Sequence, residues 1–140
     1  MPCSFDFDPI HKILRIQMEG TLSKTAITEY YRLLRLHDEA IKPRAGILDL
    51  SGITSVDLTS RSISELAVLP PAFSDESRPR FVVAPSDHVY GMSRMFQSLG
   101  EKTRPNLHVV RSLEDAYSAL GISDPHFEPL TLEYPDSGKA

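Results

Sequence analysis

Residues 13–51, "ILRIQMEGTLSKTAITEYYRLLRLHDEAIKPRAGILDLS", constrain the fold more than any other part of the chain. The stretch opens in alternation, with Leu14, Ile16 and Met18 on one side and Ile13, Arg15, Gln17 and Glu19 on the other. That is a strand, although Ile13 among the polar set blurs its start. Gly20 is expected to end it. The period then changes: Ile27, Tyr30, Tyr31, Leu34, His37, Asp38 and Ile41 recur at helical steps, all but two of them apolar. One face of a helix therefore meets a core. The run Ile47, Leu48 and Leu50, with Asp49 among them, suits a strand covered on both faces. A strand–helix–strand unit of this kind pairs its strands in parallel, through a right-handed crossover.

The punctuation agrees. Ser23 is placed to cap the helix by accepting a free backbone N–H, with Leu22 and Ile27 at staple spacing. Pro43 stops the helix by about Ile41. Upstream, "CSFDF" alternates and "DPIHK" reads as a turn, so an N-terminal β-hairpin is expected. Downstream the alternation of helix and strand continues. "SRSISELAVL" is a helix closed by Pro70 and Pro71, with Ile63, Leu66, Ala67 and Val68 or Leu69 for packing. "RFVVAP" is a strand. "SDHVYGMSRMFQSLG" is a helix capped by Ser86, with Tyr90, Met92, Met95, Phe96 and Leu99 near its buried side. "LHVV" is a fifth strand, and "SLEDAYSAL" a last helix between Ser112 and the terminator Gly121. The expected fold is α/β: a mixed, mainly parallel five-stranded sheet with about four helices. Residues 1–121 form one domain. Residues 122–140 hold three prolines and no helical stripe, so they read as a tail in which "PLTLEY" is at most an extended arm before a frayed end.

At 140 residues the chain is long enough for a single core. Its formal charge of −4 gives no electrostatic reason to approach nucleic acid or an anionic membrane. Arg78, Arg80, Lys102 and Arg104 are locally basic and read as solvated surface. Cys3 is the only cysteine, which excludes an internal disulfide. "MPCSFDFD" does not resemble a secretory signal, and no run approaches the ~18 apolar residues of a membrane span. A cytoplasmic location is expected.

Motifs for catalysis are weak. "LSGITS" has neither the glycines nor the lysine of a phosphate loop, and "SGITS" is not a nucleophile elbow. His11, His37, His88, His108 and His126 are too far apart for a local metal pair, so no metal or cofactor is expected. Thr59, His88 and Asp57 could be written as a hydrolytic triad, but side chains of these types are common. Tyr90, Met92, Met95 and Phe96 could line an apolar ligand pocket, because methionine adapts to irregular shapes; the same stripe also reads as plain core. Gly91 within it would admit a close neighbour or is simply tolerated.

The stretch "GILDLSGITSVDLTSRSI" is more informative. Its strand is expected to end near Leu50 or Ser51, and the next helix to begin near Thr59 or Ser60. The connection lies at the carboxyl end of the sheet, where open α/β folds place their sites. Backbone N–H groups at a helix start stabilise negative charge, so a phosphate on Thr59 could be accommodated there. From composition alone, the simpler reading of Asp57 and Thr59 is as turn and cap residues.

Residues 10–120 resemble the STAS domain, named for sulphate transporters and anti-sigma-factor antagonists. "MEGTLS", "GILDLSGITSVD" and "NLHVVRSLEDAYSAL" carry the resemblance through their order and spacing. The match is closest to stand-alone bacterial relatives of the antagonists. It implies a mixed sheet packed by helices and no catalytic centre. In the antagonist branch an Asp, a small hydroxyl residue, a phosphorylatable Ser or Thr and a Gly or Ala follow the third strand. Asp57 matches, and Thr59 falls on the phosphoacceptor position. Leu58 replaces the small residue and Ser60 the Gly or Ala, which changes the shape a partner kinase would meet. The resemblance gives partner contacts to Asp57, Leu58, Ser60, Arg61, Ser62 and Glu65, and implies a protein partner such as an anti-sigma factor or serine kinase. A weaker similarity is to SEC14-like lipid carriers, which share this element order and would use an apolar pocket around Tyr90 to Phe96.

Overall fold

The computed structural model describes residues 3–72 and 77–133. Strand β1 (Cys3–Asp8) and strand β2 (Ile13–Ser23) form the antiparallel hairpin. Helix α1 (Lys24–Ile41) leads to β3 (Ala45–Asp57), α2 (Ser60–Ala67), β4 (Arg80–Val83), α3 (Asp87–Leu99), β5 (Leu107–Val110), α4 (Leu113–Leu120) and β6 (Glu128–Leu130). The sheet order is β5-β4-β3-β2-β1-β6, and β2 to β5 are parallel. The α/β class and the mixed sheet are as expected. The strand count is six rather than five.

Two apolar layers explain the sequence patterns. On one face, Leu14, Ile16, Met18 and Leu50 pack with Tyr30, Tyr31, Leu33 and Leu34 of α1. On the other, Ile13, Ala45, Ile47, Phe81 and Val83 pack with Ala116 of α4. The oddly placed Ile13 faces this second layer and is fully buried. Each such aliphatic side chain contributes about 1.5–3 kcal/mol by leaving water. Chain progress from β2 to β5 runs one way across the sheet, so right-handed crossovers put α1, α2 and α3 on the same face. The buried Asp49 is satisfied locally: its Oδ1 accepts from Ser51 N at 3.0 Å and Ser51 Oγ at 2.5 Å.

Several expectations are corrected. β2 does not end at Gly20. That residue takes φ +82°, which glycine adopts without strain, and the β2–β3 register shifts between Gln17 and Glu19 and between Gly20 and Thr21. The ladder then resumes to Ser23. β3 likewise continues past Ser51 to Asp57, because Glu19–Ser23 of β2 supply its hydrogen-bond partners. The sixth strand comes from the region read as a tail: Phe5, Asp6 and Phe7 pair with Leu130, Pro129 and Glu128. It is short and holds a proline, which suits an edge. Asp8 anchors this segment by accepting from His126 N at 3.0 Å, and Phe127 lies under the Arg15 guanidinium at 4.2 Å. Residues 134–140, read as a frayed end, lie outside the described residues.

The basic residues are not a solvated patch. Arg78 pairs with the buried Asp38 at 2.7 Å, and Arg80 and Arg104 are 8% and 3% exposed. Only Lys102 is exposed as expected. Leu99 is half exposed instead of packed, and Val68 also faces solvent. A Cβ at Gly91 would meet nothing within 4 Å, so no close approach requires that glycine.

Candidate functional site

The paired ends of β2 and β3 deliver two helix starts side by side. Asp57 stands opposite Ser23 in the ladder. Ser23 caps α1 by accepting from Ala26 N at 3.1 Å. Two residues beyond Asp57, Thr59 caps α2: its Oγ1 accepts from Ser62 N at 3.0 Å and lies 3.0 Å from Ser62 Oγ. Its backbone is extended (φ −105°, ψ 168°), as an N-cap requires. The hydroxyl is thus held at the positive end of the helix dipole.

Asp57, Thr59, Ser60 and Arg61 are exposed, whereas Leu58, Ser62 and Glu65 are half-buried. Glu65 Oε1 lies 2.7 Å from Lys24 Nζ, and its Oε2 lies 3.5 Å from Arg61 Nε. The hydrogen bond and charge of Lys24, with a smaller effect from Arg61, hold the Glu65 carboxyl below its usual range. A second polar rung, Thr21 Oγ1 to Ser55 Oγ at 2.7 Å, extends the same surface. Lys24 and this rung escape sequence reasoning because their partners are 41 and 34 residues away. Their only local signal is proximity to the Ser23 cap.

Leu58 turns inward and lines an apolar cavity of about 100 Å³ between the sheet and α1, α2 and α3. Of the four residues considered for an apolar pocket, Met92 and Phe96 are on its wall and Tyr90 and Met95 are not. The Tyr90 ring instead sits outside, with the Arg111 guanidinium 4.1 Å from its centroid and its hydroxyl accepting from Arg94 at 3.2 Å. Tyr30 and Tyr31 meet edge to face at 4.8 Å on the cavity wall, and burial raises both phenol pKa values.

The overall arrangement has relatives among solved structures. The anti-sigma factor antagonist SpoIIAA in its unphosphorylated form superposes with a TM-score of 0.55 at 11% identity, covering 84% of this chain and 94% of that one. An uncharacterized Shewanella loihica protein of the DUF3478 family, with a SpoIIAA-like fold, superposes at 0.52 and 11% identity, covering 84% and 91%. The fold is STAS-like. No protein-family profile and no curated protein matches the sequence.

Within this STAS-like frame Thr59, His88 and Asp57 are not joined as a triad among the described residues. No hydrogen bond among the described residues joins Thr59 to His88 or Asp57; Thr59 is engaged with Ser62. Among the described residues no three His, Cys, Asp or Glu side chains converge to hold a metal ion. None of the described helices is long and apolar enough to cross a membrane.

Proposed function

We propose that the chain is a non-enzymatic regulatory module of the anti-sigma-factor-antagonist kind. It docks a protein partner, of the anti-sigma-factor or serine-kinase class, through Asp57–Ser62 and the exposed side of α2. Thr59 is its phosphoacceptor. The observation that carries the reading is the exposed Thr59 hydroxyl, held at a helix start at the carboxyl end of the parallel strands. The STAS-like fold, shared with an antagonist that has an unphosphorylated form, adds support.

The physics of the switch is local. A phosphate there adds about −1.5 to −2 charge. The free N–H groups and dipole of α2 stabilise it, so the fold is preserved while the docking rim changes sign. Arg61, 88% exposed at its side chain, can turn from Glu65 to the phosphate at little cost. The test is incubation with serine/threonine kinase activity from the native organism. Phosphate on Thr59, abolished in Thr59→Ala, is the expected result. Labelling elsewhere, or none, removes the switch.

A further inference from the structure

We propose that the cavity behind Leu58 is a binding site for a small apolar carboxylate of about four carbons, the size of butyrate or isobutyrate, with its anionic end at Arg104. This site stands apart from the Thr59 reading and would survive its failure.

Size and lining set the tail. The space is about 100 Å³, about two-thirds of the roughly 150 Å³ in which a cavity lined by aliphatic and aromatic groups takes up benzene. Leu58, Met92 and Phe96 are half-buried members of the wall. They mark the side from which a ligand can enter between α2 and α3. A ring or a long acyl chain exceeds the volume; a chain of about four carbons suits it.

Arg104 sets the head. It lies on the cavity wall and is 3% exposed. Its Nη1 and Nη2 donate to Ala67 O and Leu69 O, both at 3.0 Å, at the end of α2. Its guanidinium stacks 4.8 Å from the Phe96 ring centroid and 5.4 Å from that of Tyr31. Among the described residues no carboxylate pairs with it. Carbonyl dipoles and ring faces only partly offset a full buried charge, which otherwise calls for an anion. A packing imperfection would be lined by apolar groups throughout; this wall carries a cation, and the two α2 carbonyl bonds use two of the five N–H donors of its guanidinium.

The test compares butyrate and isobutyrate with their neutral isosteres butyramide and isobutyramide, titrated calorimetrically into the full chain. Each acid should bind saturably and at least tenfold more tightly than its amide. Arg104→Gln, which keeps a donor for the α2 carbonyls, should reduce the acid to the amide's affinity. Met92→Trp, which fills the cavity from its half-buried wall, should abolish binding of both. Absence of saturable acid binding at millimolar concentration overturns the proposal. So does equal affinity for acid and amide, or binding that survives Met92→Trp in a folded variant. If Arg104→Gln does not fold, the acid-to-amide ratio and Met92→Trp decide alone.

Discussion

Thr59 Oγ1 lies 3.0 Å from both the backbone nitrogen and the hydroxyl of Ser62, so one side chain starts α2 and presents an exposed oxygen. The capping role and the proposed switching role are separable by substitution. Thr59→Ala removes the acceptor and should cost about 1 kcal/mol of stability. Thr59→Asp restores a cap and places its charge favourably at the helix start, so it should lie within a few tenths of a kcal/mol of wild type. Urea unfolding of the three proteins checks the order. Equal stability of Thr59→Ala and wild type would mean that the cap does not hold α2 in solution.

Asp8 is fully buried and makes a different kind of junction. Its Oδ1 accepts from the backbone of Ile10 and His11, and its Oδ2 from His11 Nδ1 at 2.7 Å and the backbone of His126. Burial alone would raise its pKa, but the hydrogen bonds from His11, His126 and Ile10 outweigh it and hold the carboxyl well below the usual range. A depressed folded-state pKa contributes stability that is complete above the unfolded value, about 3.9, and is lost as pH falls toward the folded value. Asp8→Asn should therefore cost about 2–4 kcal/mol at pH 7. The gap to wild type should narrow steadily below about pH 4. Unfolding titrations at pH 7, 4 and 3 measure it; a gap independent of pH would contradict the assignment.

Gly91 sits in exposed helix with open space where a Cβ would be. Gly91→Ala should raise stability by up to about 1 kcal/mol, through helix propensity and a less flexible unfolded chain. Thermal unfolding reads this directly. A destabilised variant would show that the position meets something not seen in the fold.

Local signals carried most of the architecture. The caps at Ser23, Ser86 and Ser112 were legible because each acts on a backbone nitrogen three residues on. The run Ala45–Leu50 predicted cover on both faces, which α1–α3 and α4 provide. The continuation of β3 was not legible. Ser51, Gly52, Thr54 and Ser55 are exposed, and only β2 beside them makes them a strand. Arg104 looks like surface in the sequence because nothing near it announces the carbonyls of Ala67 and Leu69. The meeting of Lys24 with Glu65 depends likewise on tertiary geometry, so the rim around Thr59 could be placed at the sheet's end but not drawn.

Docking of a protein at the Thr59 rim, controlled by negative charge on Thr59, can be measured in one experiment. Quantitative affinity capture from lysate of the native organism, with wild type, Thr59→Ala and Thr59→Glu as baits of verified fold, tests it most directly. One protein should be retained equally by wild type and Thr59→Ala and reduced at least tenfold by Thr59→Glu. Equal retention by all three, or no protein specific to wild type, would contradict it.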